Sequence, residues 1–157
     1  MSRGHVRLVR CELALLLAGA ALASDVSGFD VSRYRPSTIQ AMIRDLPAPA
    51  QHLVAQELPI RSRVTYAGEF RELPEDSREH IRVWADLMHA PEAPRVFARE
   101  LKVYEGGTAY WFPVQEVLVP AMRSELRLGQ RIEVFMIYIG HVRGRHVFLI
   151  NAFDDEP

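Results

Sequence analysis

The sequence predicts an α+β fold: a curved or partly closed antiparallel sheet of about five strands, packed by helices and preceded by a pair of short helices. Three observations predict it. Gly106-Gly107 sits between two alternating runs and marks a two-residue hairpin turn. The stretch from Arg131 to Phe153 is apolar on both sides of an extended chain, as a central hairpin covered on both faces would be. Between such runs, apolar residues recur at helical spacing.

The chain opens with a basic segment carrying Arg3, Arg7 and Arg10, followed by the apolar run Leu13 to Leu22 and by Ala21-Leu22-Ala23. That order is the pattern of a secretory signal peptide, residues 1–23, cleaved before Ser24. The run is about half the 20 or so apolar residues that span a bilayer, so no membrane span is expected in the mature form. Cys11 precedes the run, whereas a lipoprotein anchor needs its cysteine directly after it.

Cleavage would have three consequences. The only cysteine leaves, so the mature chain is cysteine-free and holds no disulfide, no thiol nucleophile and no cysteine zinc site. Loss of Arg3, Arg7, Arg10 and Glu12 leaves sixteen basic against nineteen acidic side chains, a mildly acidic product and a poor nucleic-acid partner. Residues 24–157 then form one compact unit: an arm with short helices over 24–59 and an α+β core domain over 60–157.

After a polar arm to Arg35, Ser37-Thr38-Ile39-Gln40 reads as a capping box behind Pro36. Ile39, Met42, Ile43 and Leu46 give the stripe of a short helix, stopped by Pro47 and Pro49. A second short helix is expected from about Ala50, carrying Leu53, Val54 and Leu58 up to Pro59. The first strand follows from Ile60, with Val64, Tyr66 and Phe70 on one side and Gly68 marking a bulge or bend. Pro74-Glu75-Asp76 opens a helix whose apolar face is Ile81, Trp84 and Met88 with Val83 and Leu87. The stretch from Ala90 to Pro94 ends it as a connector.

In the Gly-Gly hairpin, Glu105 pairs with Thr108. That register sets Val103 opposite Tyr110, Leu101 opposite Phe112, Tyr104 opposite Ala109 and Lys102 opposite Trp111. Gln115 to Leu126 reads as a helix with Pro120 in its first turn or at a kink, and Gly129 closes it. The last hairpin turns at Arg143-Gly144. A regular ladder puts Phe135, Ile137, Ile139, Phe148 and Ile150 on one face, and Val134, Met136, Tyr138, Val147, Leu149 and Phe153 on the other. Strand, hairpin, helix, hairpin is the order of a five-stranded OB barrel, here with an extra helix after the first strand.

Catalytic motifs are missing. The chain has no G-x-S-x-G elbow, no H-E-x-x-H pair and no phosphate loop, and its sole lysine, Lys102, has Arg99 three residues before it. No cofactor and no metal site are expected. Glu69, Glu72, Glu75, Asp76 and Glu79 read as a strand end and a solvated helix start, and Asp76/His80 and Asp86/His89 as surface pairs.

Two groups are candidate binding residues. His141 and His146 are directly opposed beside the turn that holds Arg143 and Arg145, a basic hairpin tip suited to an anionic partner. Lys102, Tyr104 and Trp111 share one face of the Gly-Gly hairpin, where a cation beside aromatic rings makes a platform for a partner. The function expected is therefore that of an exported, non-enzymatic binding protein of the bacterial periplasm or extracellular space, recognising a protein or an envelope glycan. The alternative is a small secreted hydrolase of glycan or peptide that draws its acid or base from Glu69, Glu72, Asp76 or His80.

Overall fold

The computed structural model describes residues 29–46 and 53–155. The expected signal peptide lies outside them, as do Pro47, Pro49 and the start of the second short helix. A 3-10 turn over Val31–Arg33 leads to the two-residue strand β1 (Arg35–Pro36) and helix α1 (Ile39–Asp45). Strand β2 (Leu53–Glu72) is followed by α2 (Glu75–Leu87) and the short α3 (Ala93–Val96). The hairpin β3 (Arg99–Glu105) and β4 (Thr108–Val114) leads through a 3-10 turn at Glu116–Leu118 into α4 (Val119–Glu125). A second hairpin follows, β5 (Arg131–Val142) and β6 (Arg145–Asp154).

The six strands run in the order β1-β2-β3-β4-β6-β5, and β2 also pairs with β5. That last pairing closes five strands into a barrel with β1 as an extra strand, an arrangement compatible with an OB-like barrel. The expected antiparallel sheet is corrected to a mixed one. After β4 the chain crosses through α4 to pair β5 with β2, so the returning β6 meets β4 in parallel at Val114 and Ile150.

The second of the two expected short helices is also corrected: Leu53–Leu58 is the start of β2. Leu53 and Val54 pair with His141 and Gly140, and after a register shift Leu58 pairs with Tyr138. A short apolar stretch fits helix or strand alike, and a partner strand some eighty residues away decides between them. β2 is long because it serves two neighbours. It pairs with β5 up to Thr65 and with β3 from Thr65 onward. The expected bend at Gly68 is there: the register shifts between Tyr66 and Phe70, and Gly68 has φ +71°.

Inside the barrel, Ile60 and Val64 of β2, Leu101 of β3, Phe112 of β4, Met136 of β5 and Phe148 of β6 form one buried cluster. Ile39 and Met42 of α1 join it, as do Val119 and Met122 of α4. Thr38, not Ser37, caps α1, accepting a hydrogen bond from the Ala41 amide at 3.0 Å. Glu105 supplies the rest of the cap, with Oε1 2.8 Å from the Ile39 amide and Oε2 3.0 Å from that of Gln40.

The β5–β6 hairpin is apolar on both sides and is covered on both. Its outer face carries Ile139, Val142, Val147 and Leu149 against Ile81 and Trp84 of α2 and against Phe97. Farther along, Phe29 and Tyr34 of the arm pack on Phe135. The expected faces of this hairpin are corrected by two bulges. One shift, between Tyr138 and Gly140, leaves Ile139 extra, so Phe148 opposes Tyr138. A second, between Phe135 and Met136, leaves Asn151 extra and restores the original register. Phe148 and Ile150 therefore point inward with Val134, Met136 and Tyr138, while Ile137 and Ile139 point outward with Val147 and Leu149. Buried Asn151 is satisfied by Gln115 and by the Tyr34 hydroxyl, each at 3.4 Å.

The inner face of α2 is narrower than expected. Ser77, His80, Ile81, Trp84 and Ala85 are buried, whereas Val83 and Leu87 are 41% and 62% exposed. Among the described residues no helix is long and apolar enough to cross a membrane.

Candidate functional site

The β3–β4 hairpin has the register its turn dictates. Lys102 lies opposite Trp111, and Tyr104 opposite Ala109. Because Leu101 and Val103 point into the barrel, period-2 alternation sends Glu100, Lys102 and Tyr104 outward. Trp111 and Tyr104 are half-buried on this outer face, and neither belongs to a buried hydrophobic cluster. The buried side chains of α2 pack on β5–β6 instead.

Cations flank the ring. The guanidinium carbon of Arg71 lies 4.1 Å from the Trp111 centroid, and the Lys102 ammonium lies 5.7 Å from it and 5.5 Å from the Tyr104 ring. Each cation is held by an acid. Lys102 donates to Glu69 at 2.9 Å, and that hydrogen bond raises its pKa. Arg71 grips Glu100 through Nε at 2.8 Å and Nη2 at 2.6 Å. Glu100 is only 1% exposed, and burial raises its pKa against the opposing pull of Arg71 and Arg145. The Arg145 guanidinium donates to Glu100 Oε1 at 2.9 Å, lies 3.5 Å from Asp76 and also reaches the Ser77 hydroxyl.

The expected hairpin tip is thus divided. Arg145 turns back onto β3 and α2. Arg143, at the turn with φ 48°, faces Glu75, Asp76 and Glu79 across a cavity of about 480 Å³. His141 and His146 are opposed as expected, with ring centroids 6.0 Å apart. Their rings continue the inner face of the barrel, since His146 lies against Tyr138, whose hydroxyl is 3.3 Å from its Nδ1. His141 is 2% exposed. Burial lowers the pKa of His146, and His141 adds to the effect. Among the described residues no three His, Cys, Asp or Glu side chains are placed to hold a metal ion.

The acids weighed for hydrolysis go to different partners. Glu69 pairs with Lys102, Asp76 with Arg145, Glu75 with Arg78 and Glu79 with Arg82. Glu72 lines a separate cavity of about 610 Å³ with Arg78, Arg99 and Glu116. His80 is buried, its Nε2 3.0 Å from the Ile139 carbonyl. His89 sits just past α2 with φ 54°.

Sequence reasoning missed Arg71, Glu69 and Glu100 as members of the site. Glu100 is in phase with Lys102 and Tyr104, which was a usable signal. Arg71 becomes a neighbour only through the β2–β3 register, set across the α2–α3 insertion. Neither the models of known protein families nor the curated proteins give a match to this chain, so the site is read from its own geometry.

Proposed function

We propose that this chain is an exported, non-enzymatic binding protein of the bacterial periplasm or extracellular space, recognising a protein or an envelope glycan on the outer face of β3–β4. The carrying observation is Trp111: a large ring left partly exposed outside every hydrophobic cluster, with Arg71 held over it by a buried glutamate. Ordinary core packing would have covered that ring, and large aromatic rings with a polar rim are what binding hot spots use.

The barrel adds weight by analogy. Read as OB-like, β3 and β4 are its second and third strands, the α2–α3 segment is the first connection, and the Arg143-Gly144 tip is the last. OB barrels hold oligosaccharides and other linear ligands on that face and between those connections. Lys102, Tyr104 and Trp111 lie on it, and Arg143, Arg145, His141 and His146 lie at or beside the tip. Glu69 on the β3–β4 face, Glu72 and Asp76 on different cavities and buried His80 are the groups a hydrolase would draw on, and their dispersal favours binding over hydrolysis.

The test is retention of envelope components on the immobilised protein. A saturable partner is expected, and Trp111→Ala should weaken its retention by about tenfold or more, the loss of one hot-spot ring. The absence of any saturable partner, or retention indifferent to the substitution, would overturn the reading.

A further inference from the structure

We propose that the ligand of this face is an uncharged oligosaccharide that packs on Trp111 and Tyr104 and exchanges hydrogen bonds with Glu69, Lys102 and Arg71. The proposal rests on the reading of the β3–β4 face as a binding surface and names its ligand class.

Charge is the first argument. The cations of this face are already matched: Lys102 by Glu69, Arg71 by Glu100, and Arg145 by Glu100 and Asp76. An anionic ligand would gain little from cations whose charge a carboxylate already offsets, and drawing Arg71 off Glu100 would strand a buried charge. A neutral ligand meets no such barrier.

Apolar surface is the second. A protein partner needs a contiguous apolar centre to its interface. Among the described residues the exposed large aliphatic side chains are Leu58, Val83, Leu87, Val117 and Leu128, and none of them is on β3 or β4. What β3–β4 offers is two aromatic rings rimmed by planar and charged groups, with small Ala109 exposed beside them.

Polyhydroxylated rings match that surface chemically. Their C–H faces pack on aromatic rings, and their hydroxyls both donate and accept. The Glu69 carboxylate accepts and the Lys102 ammonium donates. Arg71 has five N–H donors and spends Nε and Nη2 on Glu100, keeping its remaining donors in a fixed fork. The buried Glu100 thus acts as a positioning residue, ordering Arg71 before any ligand arrives.

Calorimetric titration of the purified protein with an N-acetylglucosamine tetramer, a glucose tetramer and a galacturonate tetramer tests this. Binding of a neutral tetramer is expected, weakened about tenfold by Trp111→Ala, or roughly 1.4 kcal/mol, and more mildly by Tyr104→Ala. Val117→Ser, on the far 3-10 turn, should leave it unchanged. Binding of galacturonate alone, of no tetramer, or of a neutral tetramer regardless of Trp111→Ala would overturn the inference. In any of those cases, a partner retained from the envelope and lost with Trp111→Ala would show that the face binds something else. Failure of both measurements would end both readings.

Discussion

Arg145, one residue past the turn of the last hairpin, reaches back to β3 and donates a 2.9 Å hydrogen bond to Glu100. The same carboxylate holds Arg71 over Trp111. One buried acid therefore ties together three barrel strands and, through Asp76 and Ser77, the start of α2. The ring at the centre of the proposed binding face and the tip of the β5–β6 hairpin share a single anchor.

Glu100→Ala should lower stability by about 1–3 kcal/mol, measured by urea unfolding. The two arginines are partly exposed and regain water when released, which keeps the loss below that of a fully buried pair. Glu100→Gln separates the proton from the shape. Burial raises the folded pKa above the ordinary 4.5, so the folded state binds the proton more tightly than the unfolded chain. Stability contributed by this group is therefore highest below 4.5 and falls as pH rises toward the raised folded value. The difference between wild type and Glu100→Gln should drift in that direction across the window; a flat difference would refute it.

His146 gives the opposite slope. Its pKa is lowered from 6.5 by burial and by His141, so the unfolded chain takes up the proton first. Stability is fully present above 6.5 and is lost as pH falls below it toward the folded value. His146→Gln should flatten that loss. Urea midpoints measured from pH 7.5 down to pH 5 would show it, and equal slopes in the two proteins would contradict it.

Much of the frame was legible because local chemistry fixed it. Gly106-Gly107 set the β3–β4 register residue by residue, and the stripe from Ile39 set α1. The β5–β6 faces were misread because an extra residue at Ile139 inverts them; Gly140 beside it, at φ 115°, was the local mark of that bulge, as Gly68 is in β2. Leu53–Leu58 failed as a helix for a different reason: its pairing partner is remote. Exposure of Trp111 depended on where α2 packs. The helix's buried stripe is compatible with any apolar sheet face, and it chose the outer side of β5–β6.

Gly68 separates two costs that usually come together. A Cβ there would lie 2.1 Å from Leu128 Cδ2, and the backbone is left-handed at φ +71°. Leu128 is 77% exposed and can swing away. Gly68→Ala should therefore lose about 1 kcal/mol, chiefly from the backbone. Adding Leu128→Ala should recover little of it; full recovery in a double-mutant cycle would assign the cost to the clash instead.

Glu105 is the joint between the hairpin tip and α1. Its carboxylate accepts from the Ile39 and Gln40 amides and from the Ser62 hydroxyl, the last at 2.7 Å. A seven-residue helix is too short to persist alone, so its hold on the barrel depends on this cap and on Ile39 and Met42. Glu105→Ala removes the acceptor for two helix-terminal donors and the negative charge at the positive end of the helix. The loss should be about 1–2 kcal/mol. It should also be local: hydrogen exchange at the Ile39 and Gln40 amides should accelerate, while Leu101 and Val103 in the barrel wall keep their protection. Glu105→Gln retains one acceptor oxygen and should lose less. If exchange rose evenly across β3 and α1, Glu105 would be supporting the barrel as a whole and α1 would not be a separately released cap.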